Sequence, residues 1–126
     1  MMTGKFGNFV EEKRKAVGMT LRGLATELDI APAFMSDVEK GRRYPFGVEK
    51  LYKLASILKL TQEETNTMFD LAAGERENTV SPDLPRYIMG NEKVRVALRV
   101  ARDRNSPDSV WQKVVDLLNK EGETGE

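Results

Sequence analysis

Neither cysteine nor histidine occurs anywhere in the 126 residues. Their absence removes disulfide bridges, thiolate nucleophiles, imidazole bases and nearly all the usual zinc sites, so no metal and no cofactor is expected. A glycine-rich phosphate loop is missing as well. Glu63 and Glu64 read as first-turn acids favoured by a helix dipole rather than as a catalytic pair, so the chain is not expected to be an enzyme. No apolar run approaches the roughly 20 residues that span a bilayer, and the N-terminus lacks the apolar core of a signal peptide. A soluble, cytoplasmic protein without membrane contact is the expectation.

Charge of one sign is lacking too, since 20 Lys and Arg balance 20 Asp and Glu. The balance hides an asymmetry. Residues 1–60 carry 11 basic against 7 acidic side chains, whereas residues 61–126 carry 9 against 13. Distribution matters more than net charge for a polyanionic partner, so contact with nucleic acid is expected in the basic half.

What is present in that half is helical periodicity. Thr20 stands where an N-cap belongs, ahead of Leu21, Leu24, Ala25 and Leu28 at helical intervals. The run from Leu28 to Ala31 then interrupts the pattern, and Asp29 is one of the few residue types that tolerate a positive φ where a chain reverses quickly. Pro32 opens a second short helix, because proline in a first turn lacks only an N–H that had no intrahelical partner. Met35 and Val38 continue the apolar stripe. The small Ala25 lets the two helices cross closely, with Leu24, Leu28, Ile30, Met35 and Val38 forming a miniature core beneath. On the N-terminal side, Phe6, Phe9, Val10 and Val17 mark an amphipathic helix ended by Gly18. On the C-terminal side, Val48, Leu51, Leu54, Ala55 and Leu58 mark a fourth helix. A capping box over residues 61–64 opens a fifth, which carries Met68, Leu71 and Ala72 and stops at Gly74.

The segment Gly18–Ala25, GMTLRGLA, followed by Ile30–Gly41, IAPAFMSDVEKG, resembles the helix-turn-helix of the phage repressor and Cro-like (XRE-type) family of transcriptional regulators. The resemblance runs from Phe6 to Ala73. It implies an all-α fold with a five-helix repressor-like DNA-binding domain over residues 1–73. In such a domain the second helix of the pair enters the major groove of double-stranded DNA while the first crosses the phosphate backbone. By resemblance, the outward residues Pro32, Ala33, Ser36 and Asp37 are the base-reading sites. They depart from the family's common glutamine, serine and arginine. Pro32 and Ala33 offer only apolar contact, suited to a thymine methyl; Ser36 can bond to either kind of edge, and Asp37 can accept from a cytosine amino group. Leu21 stands where many relatives carry a glutamine that braces the backbone. Thr20 and Arg22, together with Lys40, Arg42, Arg43 and Tyr44 just past the second helix, are the expected phosphate contacts, which fix register without carrying sequence information. Phe34 reads instead as a core or rim anchor. The family also pairs an arginine at the place of Arg14 with a glutamate at the place of Glu39, so a structural ion pair is implied between them.

Gly74 to Thr79 lacks apolar periodicity, which puts a linker at 74–81. Ser81-Pro82 and Ser106-Pro107 repeat one device, a serine cap followed by proline, and predict a helix start at each. Asn91 caps a further helix with Val94, Ala97, Leu98 and Ala101 on one face and Arg95, Arg99 and Arg102 on another. Val110, Trp111, Val114, Val115, Leu117 and Leu118 then give the last helix a broad apolar stripe, ahead of a disordered tail at 121–126. Roughly 40 residues cannot bury such stripes alone. The helical extension over 82–120 must dock on the first domain or on a second copy. A homodimer through Val94, Ala97, Leu98, Ala101, Trp111, Val114, Val115 and Leu118 is the expectation. The function expected is a sequence-specific, dimeric repressor acting on a near-palindromic operator. The alternative is a protein–protein interaction module, antitoxin-like or a phage-derived inhibitor, that keeps the fold without reading DNA.

Overall fold

A computed structural model of the protein describes residues 2–124, and every regular element among them is a helix. In order these are α1 Lys5–Ala16, α2 Leu21–Glu27, α3 Pro32–Glu39, α4 Val48–Ile57, α5 Gln62–Gly74, α6 Pro85–Met89, α7 Glu92–Asp103 and α8 Asp108–Thr124. No helix among the described residues is long and apolar enough to cross a membrane. The chain divides into two units, Met1–Arg86 and Tyr87–Glu126.

In the first unit α2 packs on α3, and α1 packs on α3 and α5. Local chemistry starts and stops these helices where the sequence suggests. Thr20 Oγ1 accepts the Gly23 N–H at 2.9 Å, and Thr61 and Glu64 each accept the other's backbone N–H, at 3.1 and 2.9 Å. Asp29 takes φ 58° between α2 and α3, so the reversal is made without glycine. Leu24, Ala25, Leu28, Met35 and Val38 are buried together with Phe6, Val10, Leu51, Leu54, Met68 and Phe69, and Ile30 packs against them. Val17 and Val48 leave the stripes to which periodicity assigned them. Val17 is the cap beyond the end of α1 and Val48 the first residue of α4, and both are exposed.

Two devices hold α1 against α3. At Gly7 an added Cβ would lie 2.3 Å from the Glu39 carbonyl oxygen and 2.6 Å from that of Val38, so only glycine permits this approach. Farther along, Arg14 Nε and Nη2 donate to the two carboxylate oxygens of Glu39 at 2.7 and 3.0 Å, while Nη1 donates to the Met19 carbonyl at 2.9 Å. Both partners are buried, at 7% and 6% exposure. Hydrogen bonding to Glu39 outweighs the cost of burial and raises the Arg14 pKa above its ordinary value.

The segment after α5 is fastened rather than free. Glu75, 4% exposed, accepts from the Thr3 N–H at 2.6 Å and from the Phe6 N–H at 3.0 Å, with the Thr3 hydroxyl and the Gly4 N–H adding longer bonds. It caps the start of α1 from the far end of the unit. Ser81 donates its hydroxyl to the Asp70 carboxylate, residues 82–84 form a turn rather than the expected helix start, and α6 begins only at Pro85. The division between units accordingly falls after Arg86 and not within 74–81.

Burial pushes the Glu75 carboxyl up, but the donors of Phe6, Thr3 and Gly4 outweigh it, and the group titrates below its ordinary 4.5. A depressed folded pKa gives stability that is complete above the unfolded value and lost as pH falls through the folded one. Wild-type protein is therefore expected to lose melting temperature on acidification below that ordinary value more steeply than Glu75→Gln. Parallel melting profiles by circular dichroism would remove Glu75 as the cause.

In the second unit Asn91 Oδ1 accepts the Val94 N–H at 3.2 Å, the expected cap of α7. Arg95 Nη1 donates to the carbonyls of Ile88 and Met89 at 3.0 and 2.6 Å and so leaves the solvated stripe it shares with Arg99 and Arg102. α8 continues to Thr124, so residues 121–124 are helical where composition suggested a disordered tail; the last two residues lie outside those described. A single glycine such as Gly122 costs a helix only about 1 kcal/mol, too little to stop a run already formed. No residue over 87–122 is buried. Val94, Ala97, Leu98, Trp111, Val114 and Leu118 instead line an apolar groove of about 500 Å³.

Candidate nucleic-acid interface

α3 sorts its residues by side. Met35, Val38 and Glu39 are buried, while Ala33 is exposed and Pro32, Ser36 and Asp37 are half-buried. Pro32 occupies the first turn after Ala31, which caps through backbone alone. The accessible side therefore offers short side chains and one carboxylate. Phe34 turns to the rim, half-buried, with its ring stacked on Phe46 at 6.0 Å between centroids; Phe46 in turn meets Phe6 edge-on at 6.5 Å.

The helix ends at Glu39 with Lys40 as its cap, and Gly41, at φ 73°, starts the loop to α4. A Cβ there would come within 3.3 Å of Gly4 Cα, so the loop leaves in contact with the N-terminal turn that Glu75 holds. Lys40 just before Gly41 and Arg42, Arg43 and Tyr44 just after it all have exposed side chains. Arg43 lies with its guanidinium carbon 4.5 Å from the centre of the Phe34 ring, which keeps it against α3. Arg42 Nη1 stands 3.9 Å from Asp37 Oδ1, an exposed pair of the kind worth at most about 1 kcal/mol and so readily exchanged for another anion. Tyr44, 43% exposed, has its ring 4.1 Å from the guanidinium carbon of Arg76.

At the start of α2 the Thr20 oxygen is used as a cap acceptor, which leaves its O–H able to donate outward. Arg22 is exposed, and Leu21 packs half-buried on the core where the resemblance suggested a polar brace. The dimerisation candidates of α7 and α8 belong wholly to the second unit. Arg76 was not among the candidate site residues, because nothing in the local sequence links it to Tyr44.

Residues 10–64 match the model of the helix-turn-helix family. Among solved structures, the restriction-modification controller protein C.AhdI from Aeromonas hydrophila is 30% identical, over 48% of this chain and 91% of that chain, with a TM-score of 0.43. The clp gene regulator ClgR from C. glutamicum is 27% identical, over 56% of this chain and 85% of that chain, with a TM-score of 0.45. A SinR protein/SinI protein complex is 15% identical, over 94% of this chain and 99% of that chain, with a TM-score of 0.46. No curated protein sequence matches the chain. The match over 10–64 and the cap, turn and ion pair found within it agree: the chain belongs to the XRE-type helix-turn-helix family of DNA-binding transcriptional regulators.

Proposed function

We propose that the protein is a sequence-specific regulator, a dimeric repressor, that reads a near-palindromic operator in double-stranded DNA through the accessible side of α3. The observation that carries this is the juxtaposition of Pro32, Ala33, Ser36 and Asp37 with the exposed cations Lys40, Arg42 and Arg43 immediately after them. The cations, with Thr20, Arg22 and Tyr44, supply sequence-independent affinity, and the four α3 residues supply discrimination. Val94, Ala97, Leu98, Ala101, Trp111, Val114, Val115 and Leu118 join two copies.

Ala33 and Ser36 are short for base readers, which favours a second reading, a protein-binding module that retains the fold. One experiment separates them. Wild-type protein is expected to shift genomic fragments carrying its own upstream region and to enrich a defined motif from a randomised duplex library. Asp37→Ala should relax the preference at one base pair of that motif by about 1–3 kcal/mol while non-specific binding survives. No shift and no enrichment would overturn the regulator reading, and an unchanged motif would exclude Asp37 from readout.

A further inference from the structure

We propose that Arg76, at the end of α5, is a further phosphate-contacting residue, and that the Tyr44 ring is the platform that holds it. The proposal rests on the reading that α3 and its following loop face duplex DNA. Arg76 is exposed, its guanidinium carbon sits 4.1 Å from the centre of the Tyr44 ring, and no carboxylate among the described residues forms an ion pair with it. A guanidinium laid on an aromatic face keeps its N–H edge free. That edge matches a phosphate bidentately, and stacking removes much of the side-chain freedom that contact would otherwise have to freeze.

Its backbone is equally well placed. The Arg76 N–H donates to the Ala73 carbonyl at 3.1 Å, and its neighbour Glu75 is fixed by bonds from Thr3 and Phe6. The loop that carries Tyr44 begins at Gly41, which approaches Gly4 in that same N-terminal turn. Arg76 and Tyr44 therefore rise from two segments anchored at one place, and the stack brings a cation from the end of α5 to the loop of Arg42 and Arg43. A free, oriented guanidinium at the border of a basic loop enlarges a polyanion surface; it adds nothing to the core.

The test uses the full chain and a fluorescein-labelled, mixed-sequence DNA duplex, titrated by anisotropy at several KCl concentrations. Arg76→Gln is expected to flatten the plot of log affinity against log salt by about 0.9, the value for one lost phosphate contact on B-form DNA. Arg76→Lys should restore that slope, since it keeps the charge, and Arg76→Gln should melt at the wild-type temperature. Arg42→Ala with Arg43→Ala serves as the reference for loss at the loop. A wild-type slope in Arg76→Gln, beside a reduced one in the loop variant, would overturn the assignment of Arg76 alone. Equal loss of slope in the Gln and Lys variants would make the stack structural and overturn it likewise. Failure of the wild-type protein to bind the duplex would remove the DNA-binding reading and this proposal with it.

Discussion

Arg14→Met is expected to lower the unfolding free energy of the first unit by about 3–5 kcal/mol, because it leaves the Glu39 carboxylate buried and unpaired. Small domains have only about 5–15 kcal/mol in total, so the single variant should be close to unfolded at moderate temperature. Arg14→Met combined with Glu39→Leu should recover most of that loss. Desolvating both ions opposes their attraction, and apolar side chains of similar volume restore the packing. The Met19 carbonyl, which also accepts from Arg14, is only half-buried and can turn to water. Urea unfolding of the two variants beside the wild type is the measurement. If Arg14→Met costs less than about 1 kcal/mol, the pair behaves as an exposed one and does not fasten α1 to α3.

The Arg14–Glu39 pair joins residues 25 positions apart, beyond the range of any local sequence signal. Nothing in local spacing joins Arg14 to Glu39; only the resemblance does. By contrast the Thr20 cap, the positive φ of Asp29 and the reciprocal bonds of Thr61 and Glu64 act within three or four residues, where residue type and geometry are tightly linked. Contacts across the chain left no such signal. Gly7 looks like an ordinary weak point in a helix until the carbonyls of Val38 and Glu39 are found against it. Glu75 sat in what read as a polar linker, yet its carboxylate closes the N-terminus of α1.

Ser81 failed in the opposite direction. Its pattern with Pro82 is a sound helix start, but the chain makes only a turn there, closed by the Leu84 N–H on the Ser81 carbonyl, and Pro85 takes over as the opening residue. At the candidate site, the accessible side of α3 was legible because helical period alone separates it from Met35 and Val38. The stacking of Arg43 on Phe34 and of Arg76 on Tyr44 was not, since cation–aromatic contacts follow from tertiary placement.

Leu118→Lys is expected to convert the proposed dimer into a monomer and to weaken binding to the proposed near-palindromic operator by about 10²–10⁴-fold, the usual advantage of linking two sites. The reasoning begins with apolar surface. No residue over 87–122 is buried, and Leu118 itself is 64% exposed at the groove it shares with Trp111 and Val114. Charge adds a direction. α7 carries Lys93, Arg95, Arg99 and Arg102 against Glu92 and Asp103, while α8 carries Asp108, Asp116 and Glu121 against Lys113 and Lys120. A two-fold pair that sets α7 of one protomer against α8 of its partner buries both stripes and brings opposite charges together, twice over. Two recognition helices could then meet successive major grooves roughly 34 Å apart. Because Leu118 lies outside the first unit, the melting of that unit and its affinity for a single half-site should stay at wild-type values. Sedimentation equilibrium of the full chain decides the matter. A wild-type protein that remains monomeric at micromolar concentration without DNA would rule the dimer out, and a Leu118→Lys protein that remains dimeric would move the interface to another face.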